Sequence, residues 1–298
     1  MSNRPFQGQV LVTGAAGMLG SQIMLTPPDG AHVVGTDLID APGVGAPGVD
    51  LADAAAVDRL WEEHGPFAGI IHTAAYTAVD RAEEQPELAM RVNGTACQVL
   101  AKKAAQTGAA LVIVSTDFVF DGRAETPYGE DAATNPLSVY GATKLAGEWT
   151  ARRTWPSGTR IVRTQWLYGP RGKHFPRTML ELAKDRNLLR VVNDQIGSPT
   201  STLELAPALW DVLAMGEPGV YHASCEGHCS WYDLAKATLE LSGVEGVKVE
   251  PCSTEEFPRP AQRPAYSVLS CERLTQLRGA PLAHWRDALC TYLGNSDQ

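Results

Sequence analysis

A glycine-spaced turn near the N-terminus constrains the fold most. Gln9 to Thr13 (QVLVT) is a short apolar, β-branched run of the kind buried in a parallel sheet. It leads directly into Gly14-Ala-Ala-Gly17-Met-Leu-Gly20, after which Ser21 to Leu25 reads as helix. Strand, glycine turn and helix in that order are the context a dinucleotide fingerprint requires. The spacing is G-x-x-G-x-x-G rather than G-x-G-x-x-G, but the physics is shared. Small residues let the backbone approach a pyrophosphate, and the helix N-terminus supplies free N–H groups and a positive dipole end. Gly14, Gly17, Met18, Leu19 and Gly20 are therefore cofactor candidates.

The pattern then alternates. His32 to Thr36 is a second strand closed by Asp37, about twenty residues past the glycines, where an acid accepts ribose hydroxyls. No lysine or arginine lies between Met18 and Asp58, so a 2′-phosphate would meet a carboxylate without a local cation; NADH is favoured over NADPH. Past a Gly/Pro-rich loop, Asp50-Leu51 reads as the end of a third strand, near where an adenine would lie. Residues 54–64 read as helix and 69–72 as strand, running into the small residues Thr73, Ala74 and Ala75, which suit a crevice at a strand's C-terminal end. A long helix is expected over 86–107; its Asn93 either braces a neighbouring strand or is an exposed amide. Residues 110–115 and 160–163 read as strands on either side of a helix expected over 136–153, with Pro136 in its first turn.

Alternating strands and helices predict an α/β chain, a Rossmann-type doubly wound parallel sheet with a smaller C-terminal substrate lobe. Residues 1–165 form the dinucleotide-binding part on this reading. Residues 166–298 form mainly the lobe, with segments at about 188–222 returning to the core. Helices are expected over 174–186, 202–215, 231–241, 270–277 and 282–293, and strands over 188–193 and 219–222.

Tyr140 and Lys144 stand four apart, one turn from each other on one helix face. An ammonium fixed near a phenol lowers its pKa, and such a tyrosine can exchange a proton with a carbonyl oxygen. The spacing alone is weak, because it recurs by chance in many helices. Ser115-Thr116, at the end of a strand, puts a hydroxyl where it can reach the same oxygen.

Net charge is −9, which argues against a phosphate-tracking nucleic-acid surface. No apolar run approaches the roughly 20 residues of a membrane helix. Met1 to Gln9 is polar, unlike a secretory signal, so a cytoplasmic location is expected, with the six cysteines reduced. His222, Cys225, His228 and Cys229 suggest zinc, but no second ligand pair stands at a distance. They read instead as a strand end and loop, and no metal is expected.

At this point the motifs carry a resemblance. TGAAGMLG (13–20), AAYTAVDRAE (74–83), STDFVFDG (115–122), YGATK (140–144), RTQWLYG (163–169), VNDQIGSPTS (192–201) and RPAYSVL (263–269) resemble the extended short-chain dehydrogenase/reductases. More narrowly, nearly end to end, they are similar to the dTDP-4-dehydrorhamnose reductase family, which completes dTDP-L-rhamnose. The resemblance implies a catalytic set of Thr116, Tyr140 and Lys144, hydride from NADH or NADPH, and reduction of a C4 ketone on a dTDP-linked 6-deoxyhexose. It also implies cofactor contacts at Asp37, Asp50, Leu51, Ala74, Ala75, Tyr140 and Lys144. The implied sugar-site positions are Val79, Arg81, Phe118, Trp166, Asp194, Gln195 and Pro199. Phe118 stands where the family usually has Tyr, and Thr73 where Ala is common. Two further readings fit the same motifs: a deoxysugar-nucleotide ketoreductase of antibiotic biosynthesis such as a dihydrostreptose synthase, and a non-catalytic regulatory subunit like that of methionine adenosyltransferase. The partner expected is a nucleotide sugar, with a homodimer left open.

Overall fold

In the central strands successive side chains enter opposite cores, and this alternation decides which helices cover which face. The computed structural model describes residues 6–295; the first five residues of the polar Met1–Gln9 stretch lie outside them. Chain order runs β1 (Gly8–Thr13), α1 (Met18–Leu25), β2 (Ala31–Asp37), β3 (Ala46–Pro47), α2 (Ala54–His64), β4 (Gly69–His72), α3 (Val79–Glu84), α4 (Pro86–Met90), α5 (Ala96–Thr107) and β5 (Ala110–Thr116). It continues through α6 (Val139–Thr154), β6 (Thr159–Thr164), β7 (Leu167–Tyr168), α7 (Phe175–Ala183), β8 (Leu188–Val192), β9 (Ile196–Gly197), β10 (Thr200–Ser201) and α8 (Thr202–Met215). The last elements are β11 (Gly219–His222), β12 (Cys229–Ser230), α9 (Trp231–Leu241), β13 (Lys248–Cys252), α10 (Glu272–Arg278) and α11 (Trp285–Asn295).

Seven parallel strands form the main sheet in the order β11-β6-β5-β4-β1-β2-β3. Val10, Val12, Ile71, Val112, Val114 and Val162 point into one core, packed by Leu205, Leu209 and Val212 of α8. Leu11, Ile70, Leu111, Ile113 and Ile161 point the other way, onto Val57 and Leu60 of α2 and Leu100 and Ala104 of α5. The order of connection reverses between β1 and β4, and a crevice opens there at the strands' C-terminal ends. From the later chain, β11 pairs with β6, while β8 pairs with β13 outside the main sheet.

Several expectations shift. The third strand is the two-residue β3, and Asp50 and Leu51 lie beyond it. Pro47 offers no N–H to extend the ladder, and the Asp50 carboxylate accepts the Ala52 N–H at 2.9 Å in a tight turn. Helix α6 starts at Val139 rather than Pro136, because the Ser138 hydroxyl caps it by accepting the Gly141 N–H at 3.2 Å. The helix expected over 86–107 is broken by a π turn at Arg91–Thr95. That turn buries Asn93, which donates to the Tyr76 carbonyl at 3.2 Å and Thr143 Oγ1 at 3.1 Å and accepts the Tyr76 N–H at 2.8 Å. Asn93 is thus a brace between the 73–78 segment and α6. Strand β13, a half-exposed KVEPC segment carrying a proline, had no sequence signal.

Helix α6 is tied to the sheet by a buried ion pair. Arg163 of β6 donates two parallel bonds to Glu148, Nη2 to Oε2 at 2.7 Å and Nε to Oε1 at 3.0 Å. Ser115 of β5 donates to the same carboxylate at 2.5 Å. Both charged side chains are almost fully buried. Removing one partner leaves the other charge unpaired, at a cost of about 3–5 kcal/mol. Arg163→Met should therefore lower unfolding free energy by that order in chemical denaturation, and the double change Glu148→Met/Arg163→Met should recover most of the loss.

Candidate active site

The glycine turn is built by close approach. Gly14 has φ +67°, and a Cβ there would stand 2.7 Å from the Ala74 amide nitrogen. A Cβ on Gly20 would overlap the Gly14 carbonyl, so α1 can sit against the turn only with glycine there. The N-terminus of α1, with Gly17 as its side-chain-free cap, therefore opens directly onto a cleft of about 610 Å³. Gly14, Gly17, Met18, Leu19, Gly20, Asp37, Asp50, Leu51, Ala74, Ala75, Tyr140 and Lys144 all line it. A bare cradle at a helix N-terminus and an acid at the end of the second strand fit a nicotinamide dinucleotide.

Asp37 also holds the turn itself, since one carboxylate oxygen accepts the Ala16 N–H at 3.0 Å. The stretch around it lacks a cation, but tertiary structure supplies one nearby. Arg91, from the π turn, pairs with Asp50 on the cleft wall.

The three residues expected to act in catalysis come together at the ends of β5 and the first turns of α6. Thr116 donates to Asp117 Oδ1 at 3.0 Å and accepts the Phe118 N–H at 3.2 Å, shaping a short helical turn over Asp117–Val119. A Cβ on Gly141 would overlap the Phe118 carbonyl. With glycine there, α6 closes onto this turn and the Tyr140 ring packs edge-on to Phe118 at 5.5 Å. Lys144 is buried, and its ammonium donates to the Val114 carbonyl at 2.7 Å.

The electrostatics correct one expectation. Burial pushes the Tyr140 phenol up to about 12, and the Asp117 carboxylate adds to the rise, while the Thr116 hydroxyl bond opposes it. Burial outweighs the lowering expected from Lys144, whose ammonium is held by the Val114 carbonyl. Burial in turn lowers the Lys144 pKa. Sequence alone did not single out Asp117, although it lies between two residues that it did. Asp117 is 2% exposed, its Oδ2 has no partner, and burial raises its pKa to about 6.

A second cavity of about 680 Å³ adjoins the first and shares Asp117, Phe118 and Trp166 with it. Of the expected sugar-site residues, Val79 lines the first cavity and Gln195 the second. Arg81 is exposed in α3 and lines neither. Pro199 is buried away from both. The exposed Asp194 carboxylate is engaged by Thr254, accepting its N–H at 2.9 Å and its hydroxyl at 2.6 Å. Arg186, Arg190, Arg259 and Trp231 line the second cavity and were not expected there. Their signal was absent because they lie in separate segments, 186–190, 231 and 259, that meet only in the fold.

Trp166 is the described non-glycine residue with positive φ, +49°. Its ring stacks on Trp231 with centroids 3.5 Å apart and planes 9° from parallel. Arg263 joins the 263–269 motif to the 74–83 motif, donating to both carboxylate oxygens of Asp80 at 2.9 and 3.0 Å.

The RmlD substrate binding domain model matches residues 8–297 of this chain. The chain belongs to that family. It is 42% identical over 289 residues to a dTDP-4-dehydrorhamnose reductase of Streptomyces griseus, covering 94% of this chain and 91% of the relative. It superposes on the crystal structure of a dTDP-4-dehydrorhamnose reductase from Clostridium acetobutylicum with TM-score 0.90 and 41% identity, covering 97% of this chain and 100% of that one. It also superposes on the enzyme of that name from Bacillus anthracis in complex with NADP, with TM-score 0.89, 34% identity and coverage of 97% and 100%.

In this member of the RmlD substrate binding domain family, His222 of the His/Cys segment is engaged by protein groups. The buried His222 faces the Tyr128 and Ser270 carbonyls at 3.0 and 3.1 Å through Nδ1, with Arg163 beside Nε2.

Asp117 gives the family site a pH signature. Its pKa is raised from 3.8 in the unfolded chain to about 6 in the fold. The folded state therefore binds the extra proton, and this contribution is present below about pH 4 and lost as pH rises through about 6. Asp117→Asn removes it. The stability of the wild type relative to Asp117→Asn should fall by roughly 2–3 kcal/mol between pH 4 and 7, at about 1.4 kcal/mol per pKa unit. Parallel denaturation curves across that range measure it.

Proposed function

We propose that the chain is an NAD(P)H-dependent dTDP-4-dehydrorhamnose reductase, reducing the C4 ketone of dTDP-4-dehydro-L-rhamnose to give dTDP-L-rhamnose. The observation that carries this reading is the junction of the two cavities. Tyr140, Thr116 and Lys144 line the cleft that holds the glycine cradle, and Asp117, Phe118 and Trp166 belong to both cavities. A ketone at that junction is within reach of a cofactor on one side and these residues on the other. The substrate class follows from the family and from the names of the relatives.

A reduced nicotinamide dinucleotide, when bound, supplies the hydride. The rest is the chain's own chemistry. A phenol pushed up to about 12 keeps its proton at neutral pH, so Tyr140 is in the acid form that reduction needs. It donates to the ketone oxygen as charge develops there. Thr116 turns its hydroxyl to the same oxygen. Lys144, immobilised by the Val114 carbonyl, provides a fixed positive charge that favours the phenolate left behind. Beyond residue 165, apart from β11 of the main sheet and helix α8 packed on it, we propose a substrate lobe. In it Arg186 offers a cation to a diphosphate beside Arg190 and Arg259, which pair with Glu256 and Asp80, and the Trp166–Trp231 stack offers a flat apolar wall.

Tyr140→Phe keeps the ring and removes the proton. With dTDP-4-dehydro-L-rhamnose, kcat should drop by about 10²–10⁴-fold while coenzyme affinity barely changes; near-normal kcat removes the acid role. For the coenzyme, Asp37 and the missing local cation favour two free ribose hydroxyls. The ratio of kcat/KM for NADH to that for NADPH should be one or greater. A strong NADPH preference would show that Arg91 or another distant cation outweighs Asp37.

A further inference from the structure

Gln165 is 2% exposed, yet half of its amide is unused. Its Oε1 accepts the Ser198 N–H at 3.0 Å and the Ser267 hydroxyl at 3.2 Å. A backbone N–H can only donate, so the amide oxygen must face Ser198, and the NH₂ end points elsewhere. That Nε2 is buried without a partner. Gln165 lines the first cavity together with Asp117, whose Oδ2 is likewise buried and unpartnered. Ser267 stands between the two groups: its single hydroxyl hydrogen can go to Gln165 Oε1, 3.2 Å away, or to the Asp117 carboxylate. An unpaired donor and an unpaired acceptor thus sit around one serine on the wall where the two cavities meet.

Buried polar groups are normally paired, and a donor left open beside a cavity marks what the cavity receives. A hydroxyl matches this pair, because it accepts from an amide and donates to a carboxylate. The supports of Gln165 come from the substrate side. Ser198 follows β9, and Ser267 and the adjacent Trp166 line the second cavity. We propose that Gln165 is a specificity-determining residue whose NH₂ donates to a hydroxyl of the sugar ring beside the reacting carbon. This rests on the nucleotide-sugar reading above.

Gln165→Glu is the informative change, because it preserves shape and the acceptor for Ser198 and Ser267 while removing the NH₂ donor. Gln165→Met removes both and serves as the structural control. With wild-type enzyme and dTDP-4-dehydro-L-rhamnose, steady-state kinetics should first show turnover; none would overturn the functional reading itself. Given turnover, Gln165→Glu should raise KM for the sugar nucleotide by about tenfold or more. The dissociation constant for reduced coenzyme, read by its fluorescence, should stay near wild type, whereas the melting temperature falls because a carboxylate is buried near Asp117. Unchanged KM in Gln165→Glu overturns the proposal. So does a variant weakened only toward coenzyme, or one whose KM rises only in the destabilised Gln165→Met.

Discussion

The site depends on the missing side chain of Gly141. Helix α6 reaches the end of β5 only because the Phe118 carbonyl can occupy the space a Cβ would take. That contact brings the Tyr140 ring against Phe118 and places Lys144 under the Val114 carbonyl. The same helix is held from below by the Glu148–Arg163–Ser115 cluster and from the side by Asn93 in its π turn. A helix this heavily braced has one position relative to the strand ends, which is what proton transfer over hydrogen-bond distances demands.

Burial then sets the electrostatics. The Lys144 ammonium and the Asp117 carboxylate are buried, and the half-buried Tyr140 phenol packs beside them at the cleft wall. Desolvation is accordingly the first cause of each shift: up for Tyr140 and Asp117, down for Lys144. All three shifts oppose charge. The two cavities meet at this point, so a substrate bound across them is what changes the local balance.

Much of the scaffold was legible because it is local. The glycine turn is fixed by sterics within seven residues, and the strands by short apolar, β-branched runs. Every expected cofactor residue lines the first cleft, because all of them sit at strand ends or helix starts that a doubly wound sheet gathers on one edge. The sugar side was read less well. Asp194 was expected to face the substrate, but Thr254 engages it. Arg81 is exposed to solvent, and the cations that do line the second cavity come from 186, 190, 259 and 263. Hydrophobic periodicity carries no information about which distant loops will share a wall.

The sequence by itself determined the class of fold and the nearness of Thr116, Tyr140 and Lys144 to the cleft, since a strand end and a helix turn place those side chains from local spacing. Tertiary structure alone decided the direction of the Tyr140 pKa, the pairing of Arg91 with Asp50, the stack of Trp166 on Trp231 and the open amide of Gln165. Each depends on desolvation or on contact between segments far apart in the chain. Those quantities exist only once the backbone has closed around them.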